Sequence, residues 1–224
     1  MHINLFKRLK RDVSGTVIIE FAYCLPIFMG LGITGIELGN ATRQATKISQ
    51  IASSVADNLS RAKQAVPLGL PQLREHDIND AFKGAILQSG DPNILQNGRI
   101  IVSSLQQNAG GGQWIAWQRC KGVLNIASAY GTEGTGKTVN TFAGMGAASN
   151  RVTAPAGVAI IFVEFTYNYQ YMIVKNLLPI QPFKEELAYY VRDDRDMSGG
   201  TDVNGVYNPS PAATSSKCNL YSAT

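Results

Sequence analysis

Residues 16–36 read TVIIEFAYCLPIFMGLGITGI, and the reading of this stretch decides the fold. Of its 21 residues, 14 are apolar and Glu20 is the one charge. As a helix it would extend about 31 Å at ~1.5 Å per residue, enough to cross a bilayer core of ~30 Å. Lys7, Arg8, Lys10 and Arg11 precede it and Glu37 follows it. Positive charge is retained on the cytoplasmic side, so the expected orientation is N-terminus in and C-terminus out.

Three readings of the stretch compete. A cleaved secretory signal also has a basic start, but its apolar core is usually shorter, lacks a carboxylate and ends in an A-x-A-like site, and no good site of that kind follows here. A plain single-pass anchor is the second. Neither explains Glu20, because a carboxylate in hydrocarbon costs roughly 2.5–3.5 kcal/mol at the helix centre and usually marks function.

The third reading comes from a resemblance. Ser14-Gly15-Thr16-Val17-Ile18-Ile19-Glu20-Phe21 resembles the processing site of type IV-like prepilins: a short basic leader ending in Gly, a cut after that Gly, and Glu as the fifth mature residue. The longer run, with Gly15, Glu20-Phe21-Ala22, Pro26 and the Gly35-Ile36-Glu37-Leu38-Gly39 close, is similar to the TadE/TadG family of the tight-adherence (Tad) pilus system. The resemblance covers about 30 of the 224 residues. It implies a leader at 1–15, a prepilin peptidase cutting between Gly15 and Thr16, and a structural minor pilin or pseudopilin rather than an enzyme. It also implies other Tad pilus subunits, an inner-membrane assembly platform and membrane lipid as partners. The location implied is the bacterial inner membrane, with a periplasmic C-terminal domain that can enter an extracellular, adhesive pilus.

The physics fits beside it. A cut after Gly15 creates an α-amino group at Thr16 that is charged near neutral pH. Glu20 lies four residues on, one helical turn along the same face. A carboxylate in lipid or in a filament core needs a cationic partner, and that amine, its own or a neighbour's, supplies one. The bland alternative is that Glu20 snorkels to the interface. Pro26 removes a helix hydrogen bond and is expected to kink the helix, while Gly30, Gly32 and Gly35 form a small-residue face for close helix approach.

Beyond Glu37 the composition turns polar, but Ile48, Ile51, Ala52, Val55, Ala56, Leu59, Ala62 and Val66 keep a spacing of three and four. One helix over 16–66 is therefore predicted, its outer half needing a cover. Pro67 and Pro71 break it and open an exported domain at 67–224. Asp77 is placed as the N-cap of a short helix over 78–88. Strands are predicted at 99–105 and 113–119 around the loop Asn108-Ala109-Gly110-Gly111-Gly112, then within 157–172 and at 186–192. From Val163 to Tyr171 apolar and polar residues alternate, which predicts one buried and one wet face. The aromatics Tyr167, Tyr169, Tyr171, Tyr189 and Tyr190 suggest core or a packing surface. The expected class is α+β, with an antiparallel sheet packed on the long helix in a pilin-like arrangement. Trp117-Gln118-Arg119-Cys120 and the late strands also resemble, more loosely, the exported part of TadE-like proteins.

Residues 110–157 hold 10 of the 22 glycines, so 129–157 is expected to be a long loop, and the tail 198–224 is expected to be loosely held. The net charge of +4, from 20 Lys+Arg against 16 Asp+Glu, belongs mostly to the first 15 residues, where four bases meet only Asp12. The remaining 16 bases and 15 acids leave no basic face for nucleic acid.

Residues 131–138 match the P-loop pattern G-x4-G-K-S/T through Gly131, Gly136, Lys137 and Thr138. Phosphate binding there would need a buried strand before and a helix after. It is kept as an alternative function, beside an unprocessed anchored binding domain. Cys24 is a packing residue of the apolar stretch. Cys120 and Cys218 lie in the exported part and either pair, stapling the tail to the sheet, or remain thiols. His2 and His76 have no partners at metal-ligand spacing. Asp193, Asp194, Asp196 and Asp202 lack the EF-hand pattern and read as a charged loop. No cofactor or metal is expected.

Overall fold

The computed structural model describes residues 15–173, 175, 179–192, 194–200 and 204–223. The basic leader before Gly15, with His2, and two of the four aspartates, Asp193 and Asp202, lie outside the described residues. The elements are α1 (Thr16–Arg61), β1 (Leu73–Arg74), α2 (Glu75–Ser89), β2 (Gly98–Gln107), β3 (Gln113–Lys121), a 3₁₀ turn (Ala148–Asn150), β4 (Ile160–Tyr167), β5 (Phe183–Tyr190) and β6 (Val206–Tyr207). The class is α+β. The chain divides into two compact units: α1 up to Arg43 goes with Tyr171–Ile180, and Gln44–Gln170 goes with Gln181–Thr224.

In the larger unit, β2, β3, β4 and β5 form a four-stranded antiparallel sheet in the order β3-β2-β4-β5. The hairpin joining β2 and β3 is closed by Asn108, whose side-chain oxygen accepts the N–H groups of Gly110 and Gly112, both at 2.9 Å. One sheet face packs on the outer part of α1 and on α2. Ile48, Ile51, Ala52, Val55, Ala56 and Leu59 are buried there, in the periodicity the sequence shows. They meet Ile78, Phe82 and Ala85 of α2 and Ile100, Val102, Ile161, Val163 and Phe165 of the sheet. Each of the Val, Leu, Ile and Phe side chains among them contributes about 1.5–3 kcal/mol when taken out of water.

α1 ends at Arg61, five residues before the expected Val66, for a tertiary reason. The last carbonyls of a helix have no partner within it. Here the Arg195 guanidinium donates to the carbonyls of Leu59 and Ser60, at 2.8 and 3.0 Å, and puts a cation at the negative end of the helix dipole. The chain then turns back through paired backbone bonds between Gln64 and Gln72.

α2 begins three residues earlier than expected. Asp77 is its third residue, not its N-cap: the carboxylate accepts the Arg74 N–H at 3.0 Å and pairs with the Arg74 guanidinium at 2.8 Å. The helix stops at Gly90, whose left-handed conformation (φ 62°) closes the C-terminus.

The opposite sheet face is not wet along β4, although Lys184, Glu186, Ala188 and Tyr190 of β5 on that face are exposed. Every residue of β4 is buried, Glu164 and Thr166 included. The Gly-rich segment covers that face: Met145 and Ala154, with Tyr130, Phe142 and Val152, pack on Leu105, Ile115, Ile160 and Phe162. The arrangement is three layers, with helices on one face of the sheet and a turn-rich strap on the other.

Candidate functional site: the bare helix face and the clamped strap

Three candidate regions emerge, one in the smaller unit and two in the larger. In the smaller unit, the Gly15 carbonyl accepts the Ile19 N–H at 3.2 Å, so the Gly15–Thr16 bond lies where turn gives way to helix. From Gly15 to Gly32 every residue is exposed, among them Val17, Ile18, Phe21, Tyr23, Ile27, Phe28 and Leu31. The stretch is long and apolar enough to cross a membrane, with an 18-residue window of mean hydropathy 1.9. Glu20 is exposed within it. The helix runs uninterrupted through Pro26. A side chain built at Gly30, Gly32 or Gly35 would meet nothing, so these glycines flank open space on this chain. Cys24 is a free, exposed thiol.

Ile33 and Thr34 are half-buried and Glu37 is fully buried, whereas Ile36 and Leu38 on either side of it stay exposed. The Glu37 carboxylate accepts two backbone N–H groups, from Met172 at 3.1 Å and Ile173 at 3.0 Å. Sequence reasoning treated Glu37 as a flanking charge. The signal available was its place one residue past the apolar run; its partners, about 135 residues away, have no local signature.

In the larger unit, the second region is the segment matching the P-loop pattern. It is a run of turns at the edge of β3, with neither the preceding strand nor the following helix that a phosphate loop requires. Gly136 adopts φ 82°, and a Cβ there would collide with the Gln113 carbonyl, so this glycine serves close packing. The Lys137 ammonium sits 5.5 Å from the centre of the Trp114 ring. Glu133, inside the motif, accepts the Gln118 N–H at 3.1 Å and Arg119 Nη1 at 2.8 Å. The Gly131–Thr138 run therefore lies along a sheet edge, without the strand and helix context that the phosphate-loop alternative needs.

The third region is the tail. Cys120 and Cys218 form a disulfide closing a separation of 98 residues. The tail is not loose over 204–223. β6 pairs in parallel with β1, Ser216 and Ser222 accept the N–H groups of Cys120 and Gly122 at 2.7 and 2.9 Å, and Ser215 Oγ donates to Glu75 at 2.9 Å. Arg99 is buried beneath it, donating to the carbonyls of Gly122, Leu220 and Cys218 at 2.9, 3.2 and 2.6 Å, with Tyr221 stacked 4.2 Å from its guanidinium. Burial lowers the Arg99 pKa, partly offset by Tyr221, yet an arginine remains cationic. Strap and tail together occupy the outer backbone donors of β3 at Ile115, Gln118 and Cys120, and of Gly122 just past it, and so close a sheet edge that would otherwise pair with another chain.

Beneath the strap, Glu164 accepts Ser128 Oγ at 2.6 Å and the Ala129 N–H at 2.9 Å, while Tyr130 donates to Glu186 at 2.7 Å. Glu164 and Glu186 are direct cross-strand partners. Burial raises the Glu164 pKa; the Ser128 and Ala129 bonds pull it back, and the Glu186 charge adds to the rise. Of the aromatics singled out in the sequence, Tyr167 and Tyr169 are core, whereas Tyr190 is exposed. No family model, curated protein or solved structure matches this chain.

Proposed function

We propose that the chain is a structural, membrane-anchored subunit of a bacterial Tad-type pilus, a TadE-like minor pilin or pseudopilin. A prepilin peptidase releases residues 1–15 by cutting after Gly15. The region beyond residue 67 folds on the periplasmic side, where an oxidising environment forms the Cys120–Cys218 disulfide. One observation carries the reading: the apolar helix surface from Gly15 to Gly32 is bare. Such a surface is costly in water and is satisfied by lipid before assembly and by neighbouring helices afterwards.

The motif places the new Thr16 amine one turn from Glu20, the only charge in the bare stretch. A disulfide-stapled domain with the β3 edge of its sheet closed suits a part that is exported and stays folded outside the cell.

Intact mass of the protein from assembled pili tests the reading. Loss of residues 1–15 is expected, and Gly15→Ala should leave the full chain uncut. A full-length chain in a functioning pilus system would overturn it. Glu20→Ala should still be cut but should assemble poorly, and normal piliation would remove the role given to Glu20.

A further inference from the structure

We infer that the segment Tyr171–Ile173 is a second membrane contact, seated in the headgroup boundary of the leaflet where α1 emerges. The inference rests on the membrane reading of α1 given above. If the span starts at Thr16, a rise of ~1.5 Å per residue takes it across a ~30 Å core at about Ile36. Glu37 is the next residue, so it marks the hydrocarbon edge.

Glu37 holds the segment there. Its carboxylate is fully buried and accepts the Met172 and Ile173 N–H groups. A carboxylate at the edge of hydrocarbon needs donors, and backbone N–H groups at that depth need acceptors; each satisfies the other. The Ile180 N–H donates to the Tyr171 hydroxyl at 3.3 Å.

The side chains carried at this level are apolar and uncovered: Met172 is 60% and Ile173 45% exposed. Tyr171 precedes this pair and Lys175 follows it two residues on. A tyrosine with a lone lysine beside aliphatic residues matches the boundary region, where the aromatic ring sits among headgroups and the ammonium reaches out to water. Lipid is favoured as the occupant because Glu37, which holds the patch, lies between Ile36 and Leu38, exposed apolar residues that continue the bare face of α1.

Site-directed spin labelling of the full chain in phosphatidylcholine–phosphatidylglycerol vesicles tests the inference. The native Cys24 thiol reports on the span, with the Cys120–Cys218 disulfide left oxidised. In a Cys24→Ser background, Met172→Cys and Ile173→Cys report on the segment and Val139→Cys, exposed in the strap, is the aqueous reference. The expected result is that labels at 24, 172 and 173 collide readily with oxygen and severalfold less with a water-soluble nickel chelate than the label at 139. Lipid exposure at 24 with chelate access at 172 and 173 equal to that at 139 would overturn the segment's role and leave the anchor standing. Shielding of 172 and 173 from both reagents would mean that protein covers them, and would also overturn it. Chelate access at 24 as well would remove the anchor and the inference together.

Discussion

Arg119 on β3 and Glu75, the first residue of α2, form a buried ion pair. The guanidinium Nε donates to both carboxylate oxygens, at 2.9 and 3.0 Å, with the two side chains only 2% and 5% exposed. Burial alone would lower the Arg119 pKa, but the Glu75 hydrogen bond and charge, with those of Glu133, outweigh it and leave it raised. The pair joins a sheet edge, a helix start, the strap through Glu133 and the tail through Ser215.

Removing one partner of such a pair strands a buried charge. Arg119→Ala is expected to cost about 3–5 kcal/mol, measured by urea unfolding of the larger unit. Replacing both, Arg119→Met with Glu75→Leu, should cost far less than the sum of the single changes. An additive double mutant would show that the two residues are not coupled.

The two halves of α1 should respond oppositely to truncation. Leu59 is fully buried, and Leu59→Ala is expected to cost about 2–5 kcal/mol. Leu31 is 66% exposed, so Leu31→Ala should leave the unfolding midpoint unchanged while weakening retention in membranes. Equal midpoint shifts from the two changes would contradict this division of the helix.

Glu164 predicts a pH dependence. Its folded pKa is raised above the unfolded value, so the folded state holds this proton more tightly. Its contribution is then most favourable below the unfolded pKa of ~4.3 and is lost as pH rises through the raised folded value. Glu164→Gln, which keeps an acceptor for the Ala129 N–H, should flatten that part of the stability profile. An unchanged slope would assign the dependence to other groups. Asp196 has the opposite sign: the Tyr207 hydrogen bond chiefly holds its pKa down, so its contribution is lost as pH falls.

The disulfide spans 98 residues, and its removal by Cys218→Ala is expected to cost about 2–5 kcal/mol. Hydrogen exchange should locate the effect. The Cys120 and Gly122 amides, bonded to Ser216 and Ser222, should lose protection ahead of the β2–β4 ladder. Uniform loss of protection would mean that the tail is integral to global folding rather than a strap upon it.

Much of the scaffold was legible because it follows local periodicity. The spacing of Ile48 to Leu59 foretold which face of α1 is buried, and the Asn108–Gly112 loop foretold the β2–β3 hairpin. The errors share one physical source. Glu164 and Thr166 alternate with apolar residues as a wet face does, yet both are buried, Glu164 because a strap poor in local structural signal folds over it. The 204–223 tail has a composition that builds no core, yet it is held because β3 presents edge donors and Arg99 presents a fork of N–H groups. The match at Gly131–Thr138 counted glycines that serve close packing.

The linear sequence by itself determined the apolar run from Thr16, its single carboxylate, the amphipathic continuation and the strand pattern, since each depends on neighbours within a few residues. Tertiary structure alone decided where α1 ends, which buried carboxylates hold distant backbone, how the glycine-rich strap covers β2, β3 and β4 on the second sheet face and that the cysteines meet. Those outcomes arise from hydrogen bonds between groups far apart in the chain, where one unsatisfied buried donor or acceptor costs more than local propensity can offset.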